Sequence, residues 1–461
     1  MSKPALSPNY LFEPHCTEQM GHNIALKRYL ERHIEPNLPT VPAGKNPWQH
    51  VLVIPAYAES PEILDRLSNS ISGPGRVLVI VVINRPESDS DTQCNEELRE
   101  EIRQRAGPKG TTTELLRLNA QCDLFVYDME QIHGPSPPKE GVGLARKAGC
   151  DIALLCWNCG QIESNWICSS DADATLPKDY FSRLDSTPEN WAAATFPFQH
   201  SPGRDKALNL ATAFYELRLH HYVLGLEYAG SSYAYHTLGS ALAVKCENYA
   251  QVRGFPKRAG GEDFYLLNKL AKTGSIGRIE GHCIELESRA SVRVPFGTGP
   301  AVAKLLEGGE FDEQPLFYNP LCFYALRAVL ATIPALSGSA SRDLPSLMQK
   351  HSLNTALARA SYESLLNLGL NNILKHCHRQ SNSQAQFVRH FHQWFDGFRT
   401  LKFIHALREM GWENQTLKDL HHTDPVLWPE QPAQTSELLL EPQRLRSIIQ
   451  HNWHWTTETK N

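Results

Sequence analysis

The sequence predicts an α/β protein, with an open sheet domain over residues 49–300 followed by a mainly helical domain over residues 301–461. Three observations carry this. Short β-branched runs without polar alternation, HVLVIPA and RVLVIVVI, read as parallel strands covered on both faces. Each leads into a polar loop and then a helical pattern, and such alternation builds a sheet whose ligands sit at the carboxyl ends of its strands. Beyond residue 300 the β-branched runs give way to long helical periodicity, as in SLMQKHSLNTALARASYESLLNLGLNNILKH.

The elements follow in order. Residues 1–48 combine a short helical pattern at 24–33 with the proline-rich EPNLPTVPAGKNP, which cannot continue a helix and reads as a linker or arm. HVLVIPAYAES and PEILDRLSNSI give strand, loop and helix, and RVLVIVVINRP gives the second strand. LFVY at 124–127 is a further short strand, and GVGLARKAGCDIALLCW carries apolar residues at helical spacing. NWICSSDADATLPKDYF supplies a strand, an acidic loop and the start of a helix.

Composition narrows the function. Hydrophobic residues at 41% and charged residues at 21% exclude collagen-like and fully disordered chains. With 45 Lys and Arg against 50 Asp and Glu, the net charge of −5 leaves no electrostatic footprint for nucleic acid, so none is expected as a partner. Val77–Ile83 is far short of the roughly 20 apolar residues that cross a bilayer. The apolar stretch at 321–336 is broken by Arg327 and Pro334. No membrane span is expected, which leaves peripheral membrane contact open. MSKPALSPNYLFEPH has neither a basic start nor an apolar core, so a cytoplasmic location is expected. Eleven cysteines, an odd number, then argue for reduced thiols. Cys150, Cys156, Cys159 and Cys168 include a CxxC, but buried thiols explain them more simply than a zinc site.

Two acidic motifs carry chemistry. Asp171-Ala172-Asp173 follows the WICSS strand, and two carboxylates two apart on an extended segment suit one hard divalent cation. The same triplet also reads as an Asx-rich turn capping the next helix. Gly260-Gly261-Glu262-Asp263 opens the helical pattern FYLLNKLAKTG. Its carboxylates read either as partners of the helix dipole or as a general base facing a cleft, with the glycines admitting a substrate close to the backbone.

The order IPAYAES, VVINRP, GVGLARKAG, SSDADATLPKDYF, GSALAVKCENYAQVRGF, GGEDFYLLNKLAKTG and SVRVPFGTGP resembles the GT-A-fold glycosyltransferases, in particular the family 2 type, over residues 49–300. The resemblance implies a metal-dependent hexosyltransferase that moves a sugar from a UDP- or GDP-linked donor to an acceptor hydroxyl, with inversion. Pro55, Ala56, Tyr57 and Glu59 would form the first nucleotide-binding loop. Asn84 would sit near the base, where family members often carry Asp, and Arg146 would take the place of a basic donor contact. Asp171 and Asp173 would hold Mn²⁺ or Mg²⁺ with the diphosphate, and His282 is the nearest candidate for a further metal ligand. Asp263 would be the base, with Glu262 beside it. Gly239 and Ser240 look like an acceptor-side loop; Arg289, Arg293 and PFGTG read as a phosphate-facing lid or as ordinary strand-end residues. The aromatic pairs Trp394, Phe395, Phe398 and Trp453, Trp455 read as core packing or as acceptor contacts. A nucleotidyltransferase would need a GxGxR-type loop where the chain has PAYAES, and a non-catalytic sugar- or nucleotide-binding protein would not turn a donor over.

Overall fold

The computed structural model describes residues 23–42, 46–73, 75–107, 115–289, 297–338 and 343–423. They divide into two compact units, one of residues up to Ser201 with Thr237–Glu287, the other of Pro202–His236 with the chain from Ser288 on.

The first unit is built on β1 (His50–Ala56), β2 (Val77–Ile83), β3 (Leu116–Arg117), β4 (Cys122–Asp128), β5 (Trp166–Ser169), β6 (Ala174–Thr175), β7 (Trp191–Thr195), β8 (Phe198–Ser201), β9 (Leu242–Lys245), β10 (Ser275–Arg278) and β11 (Ile284–Glu287). Eight strands form a mixed sheet in the order β10-β7-β9-β5-β1-β2-β4-β3, and β6-β11-β8 form a small second sheet. β4, β2, β1 and β5 are parallel neighbours, while β9 runs antiparallel between β5 and β7. Every residue of β1, β2 and β4 is buried, which is why the runs at 51–56, 77–83 and 124–127 are apolar, whereas the buried Asp123 and Asp128 of β4 are held by partners. Pro55 lies past the last β1–β5 pair, Val53–Ser169, so its missing N–H breaks no ladder bond there. Strands β1, β2 and β4 progress one way across the sheet and β5 joins on the other side of β1. Such a reversal opens a crevice at the strands' carboxyl ends.

The helix Gly141–Asn158 lies against β1, β2 and β5. It can approach this closely because Gly149 has no side chain: a Cβ there would fall 2.4 Å from Val53 Cγ1.

Two local expectations are corrected and one open reading is narrowed. TLPKDYF does not open a helix; the chain forms β6, which pairs antiparallel with β11, and then a 3-10 turn at Ser182–Leu184. Of the two readings of the N-terminal segment, linker or arm, the described residues form a docked arm. Its helix Ile24–Arg32 buries Leu26, Tyr29 and Leu30, Tyr29 donates to the buried Asp151 at 2.5 Å, and Trp48 is buried with Nε1 donating to Asp123 at 2.8 Å. Among the described residues nine cysteines, including Cys150, Cys156 and Cys168, are free, but Cys159 is disulfide-bonded, contrary to a wholly reduced set.

The second unit is helical. The helix Lys206–Tyr228, which falls inside the 49–300 span, belongs here, because its apolar residues occur all round it and bury among other helices. A Cβ at Gly225 would meet the Phe323 ring at 2.4 Å, so this helix and Pro320–Thr332 approach through the glycine. Among the described residues Pro320–Ser337 alone is long and apolar enough to cross a membrane, with mean hydropathy 1.4, but over half of it is buried in this unit's core. Phe395 is core and Trp394 packs against it, whereas Trp453 and Trp455 lie outside the described residues.

Candidate active site

Three segments of the first unit converge on one side chain. Arg146, on the helix Gly141–Asn158, is buried, and all three nitrogens of its guanidinium are engaged by protein. Nε donates to Glu262 Oε1 at 2.9 Å. Nη1 donates to Ser169 Oγ at 2.8 Å, Gly239 O at 3.1 Å and Ser170 O at 3.2 Å. Nη2 pairs with Asp171 Oδ1. The end of β5, the loop before β9 and the first turn of the helix Glu262–Leu270 are thus held by one cation. Two more bonds reinforce the frame, Ser169 Oγ to Gly239 O at 3.1 Å and Ser170 Oγ to Ser240 O at 2.9 Å.

Glu262 and Asp263 owe their positions to Gly261, whose left-handed φ of 68° turns the chain into the helix. Glu262 is buried against Arg146, while Asp263 remains half-buried. The Asp263 carboxyl is pushed up to about 7, chiefly by desolvation and next by the neighbouring Glu262 charge; the Phe264 N–H, Arg146 and the Gly239 N–H oppose the shift. A carboxyl poised there can take a proton near neutral pH.

On the opposite side, Asp171 and Asp173 lie on the turn after β5, both half-buried, with the backbone carbonyl of Ala172 fixed by Arg66 Nη1 at 2.5 Å. A nucleotide-bound Mg²⁺ or Mn²⁺ asks the protein for only one or two carboxylates, phosphates and water completing the shell. Asp171 and Asp173 fit that share. His282 does not join them. Its Nδ1 is hydrogen-bonded to Asp179 Oδ2 at 3.0 Å, and its segment is tied down by Arg183, which donates to Glu280 O at 3.0 Å and His282 O at 2.9 Å. Among the described residues no three His, Cys, Asp or Glu side chains gather as a metal-binding group.

Pro55 and Ala56 end β1, Asn84 follows β2 and is buried, and the loop at 57–59 lies next in the chain. Tyr57 donates to Asp89 Oδ2 at 2.6 Å and the Ala58 N–H to Asn95 Oδ1 at 2.9 Å, with Ala58 in the left-handed region at φ 53°. The Tyr57 hydroxyl is the main cause that holds the Asp89 carboxyl below its usual range. Arg293 and the residues Pro295 and Phe296 of the PFGTG loop lie outside the described residues.

No family model matches the chain, and no curated protein matches it. Among solved structures it is similar to the mannosyltransferase PcManGT from Pyrobaculum calidifontis in complex with GDP-Man and Mn²⁺, at 16% identity and TM-score 0.33, over 79% of this chain and 91% of that one. It is also similar to S. aureus TarS 1–349 in complex with UDP-GlcNAc, at 12% identity and TM-score 0.33, over 78% of this chain and 92% of that one. TM-scores of this size do not fix a fold, and the chemistry rests on the site's own geometry.

The sequence reading missed a second polar network beneath the 57–59 loop. Arg85 Nε donates to Glu130 Oε1 at 2.5 Å, Arg99 pairs with Asp128 and Glu130, each at 2.7 Å, and Asn95 Nδ2 donates to Glu130 Oε2 at 2.9 Å. The signal was there: Asn84-Arg85 follow the wholly apolar β2, and Asp128 and Glu130 come directly after the apolar run 124–127 of β4. Arg66 was missed as well, since nothing in its helical pattern marks it as the partner of Ala172.

Proposed function

We propose that this protein is a GT-A-like, family 2-type glycosyltransferase that moves a sugar from a UDP- or GDP-linked donor to an acceptor hydroxyl by a single inverting displacement. The observation that carries the reading is Asp263, a carboxyl pushed up to about 7 on a helix N-terminus that Arg146 binds, through Glu262, to the carboxylate of Asp171. A base and an anion-handling acidic turn, held at the carboxyl end of one sheet, are what transfer from a diphosphate leaving group requires.

In this reading Asp263 accepts the acceptor's proton as its oxygen bonds to the anomeric carbon, and the bond from that carbon to the diphosphate oxygen breaks on the opposite face. Desolvation first, and next the negative charge of Glu262 that Arg146 fixes, make Asp263 a stronger base than an isolated carboxylate. Ser169, Ser170, Gly239 and Ser240 hold the two halves in register. The loop at 57–59, anchored on Asp89 and Asn95, carries the nucleotide. A divalent ion at Asp171 and Asp173 would neutralise charge on the departing diphosphate.

The test is a thermal-shift panel of UDP, GDP, CDP and dTDP with and without Mn²⁺, on wild type and Asp173→Ala. At ~100 times Kd, a bound nucleotide stabilises by about 2.7 kcal/mol. That is several degrees at roughly 2–4 °C per kcal/mol. A metal-dependent shift for one nucleotide, lost in the variant, names the base for sugar screening. No shift with any of them removes the reading's donor site, and a shift without turnover of any sugar donor leaves a nucleotide-binding protein.

A further inference from the structure

The place of Arg146 in the sequence suggests a cation that touches the donor, and the structure points elsewhere. Each guanidinium nitrogen is already spent on the protein, the side chain is 4% exposed, and the carboxylates it joins come from segments 25 and 116 residues away. Gly239 closes over it: a Cβ at that position would fall 2.4 Å from Nη2 and 2.6 Å from Cζ, so a bare backbone is needed to cover the guanidinium. A diphosphate reaching for Arg146 would have to displace the half-buried Asp171 or the buried Glu262 from the cation they share.

Accepting the sugar-transfer reading of the site, we propose that Arg146 is a positioning residue: it does not bind the nucleotide, but joins the donor-side turn at Asp171 to the acceptor-side helix turn at Glu262. The guanidinium fork is suited to this because its planar geometry meets two carboxylates in fixed directions, which an ammonium does not. Lysine at this position keeps the positive charge but lacks the span and the fork. The consequence is a division between binding and turnover. Nucleotide affinity depends on the turn and the 57–59 loop, whereas the rate depends on how well the two turns are aligned.

Two measurements decide it. Calorimetric titration of UDP and of GDP, each with Mn²⁺, is run on wild type and Arg146→Lys, alongside kinetics with whichever sugar donor turns over. The expected result is a nucleotide Kd within about threefold of wild type and a kcat lower by about 100-fold, the size of penalty that a small misplacement of a catalytic group brings. A Kd raised about tenfold or more with kcat retained makes Arg146 a donor contact and overturns the proposal. The second measurement needs no ligand. Thermal unfolding is compared for Arg146→Met and for Arg146→Met combined with Asp171→Asn and Glu262→Gln. The single variant leaves two carboxylates without their cation and melts lower; the triple variant, with neutral amides, regains part of the loss. A triple variant that melts lower still, by the sum of the separate losses, overturns the link. If wild type binds and turns over no nucleotide sugar, the sugar-transfer reading fails by itself, and the unfolding comparison alone decides whether Arg146 ties the two turns.

Discussion

Gly239 lies so close to Arg146 that a Cβ on the glycine would sit 2.4 Å from the guanidinium Nη2, while the Gly239 carbonyl accepts a hydrogen bond from Nη1 at 3.1 Å. The loop before β9 therefore serves as the lid of a buried cation. Gly239→Ala must push Arg146 or the loop aside, at the cost of about 1–3 kcal/mol typical of overpacking. Melting temperature should fall and turnover should fall with it. Gly338→Ala is the control, because its φ is −116° and nothing lies near its Cβ position, so it should melt like wild type.

The base assigned to Asp263 has a pH signature. Turnover should rise with pH through about 7 as the carboxyl ionises, and Asp263→Asn should remove both that limb and most of the rate. An Asp263→Asn enzyme with unchanged kcat and pH profile would end the assignment.

Stability should move the opposite way. The Asp263 carboxyl is raised from 3.8 to about 7 in the folded chain, so the folded state holds the proton more tightly. The stability contributed by this group is complete below 3.8 and is lost as pH rises through about 7. Asp263→Asn should therefore raise the melting temperature more at about pH 8 than at about pH 5, a gain in stability at the expense of activity. Equal shifts at both pH values would show that the carboxyl is not strained in the fold.

Tyr57 links the first loop to the chain after β2 through its 2.6 Å bond to Asp89. Tyr57→Phe keeps the ring and removes only the hydroxyl, about 1 kcal/mol for a hydrogen bond of this kind. Nucleotide affinity by calorimetry should weaken about fivefold while melting temperature changes little. Unchanged affinity would separate this loop from the nucleotide.

The docked N-terminal helix offers a test away from the site. The Tyr29 hydroxyl donates to Asp151 at 2.5 Å and accepts from Lys147 at 2.6 Å. Asp151 also takes Lys147 at 2.8 Å, Tyr249 at 2.9 Å and the Glu35 N–H at 2.8 Å. Tyr29→Phe should cost about 1–3 kcal/mol by leaving this buried cluster short of a hydroxyl. Amide exchange should quicken in the helix Ile24–Arg32 before the rest of the unit. Exchange that quickens evenly across the chain would argue against local docking.

What the sequence by itself determined is local. Continuous β-branched runs specify β1 and β2 because strands buried on both faces have no polar side to show, and the glycine pair at 260–261 marks a place of close backbone approach ahead of Glu262 and Asp263, though only the structure shows the left-handed turn at Gly261. The acidic residues at the ends of apolar segments were legible for the same reason. Only the tertiary structure decided which charges meet. Arg146 reads as a basic donor contact until the fold brings Asp171 and Glu262 to it, and nothing local shows that Asp179 is the partner of His282 Nδ1. The N-terminal segment likewise reads as a linker or an arm until Tyr29 reaches Asp151, 122 residues away. Periodicity records which face of an element is buried, a property of neighbours in the chain. The partner of a buried charge, and the proton affinity that follows from it, depend on loop closures that no local pattern encodes.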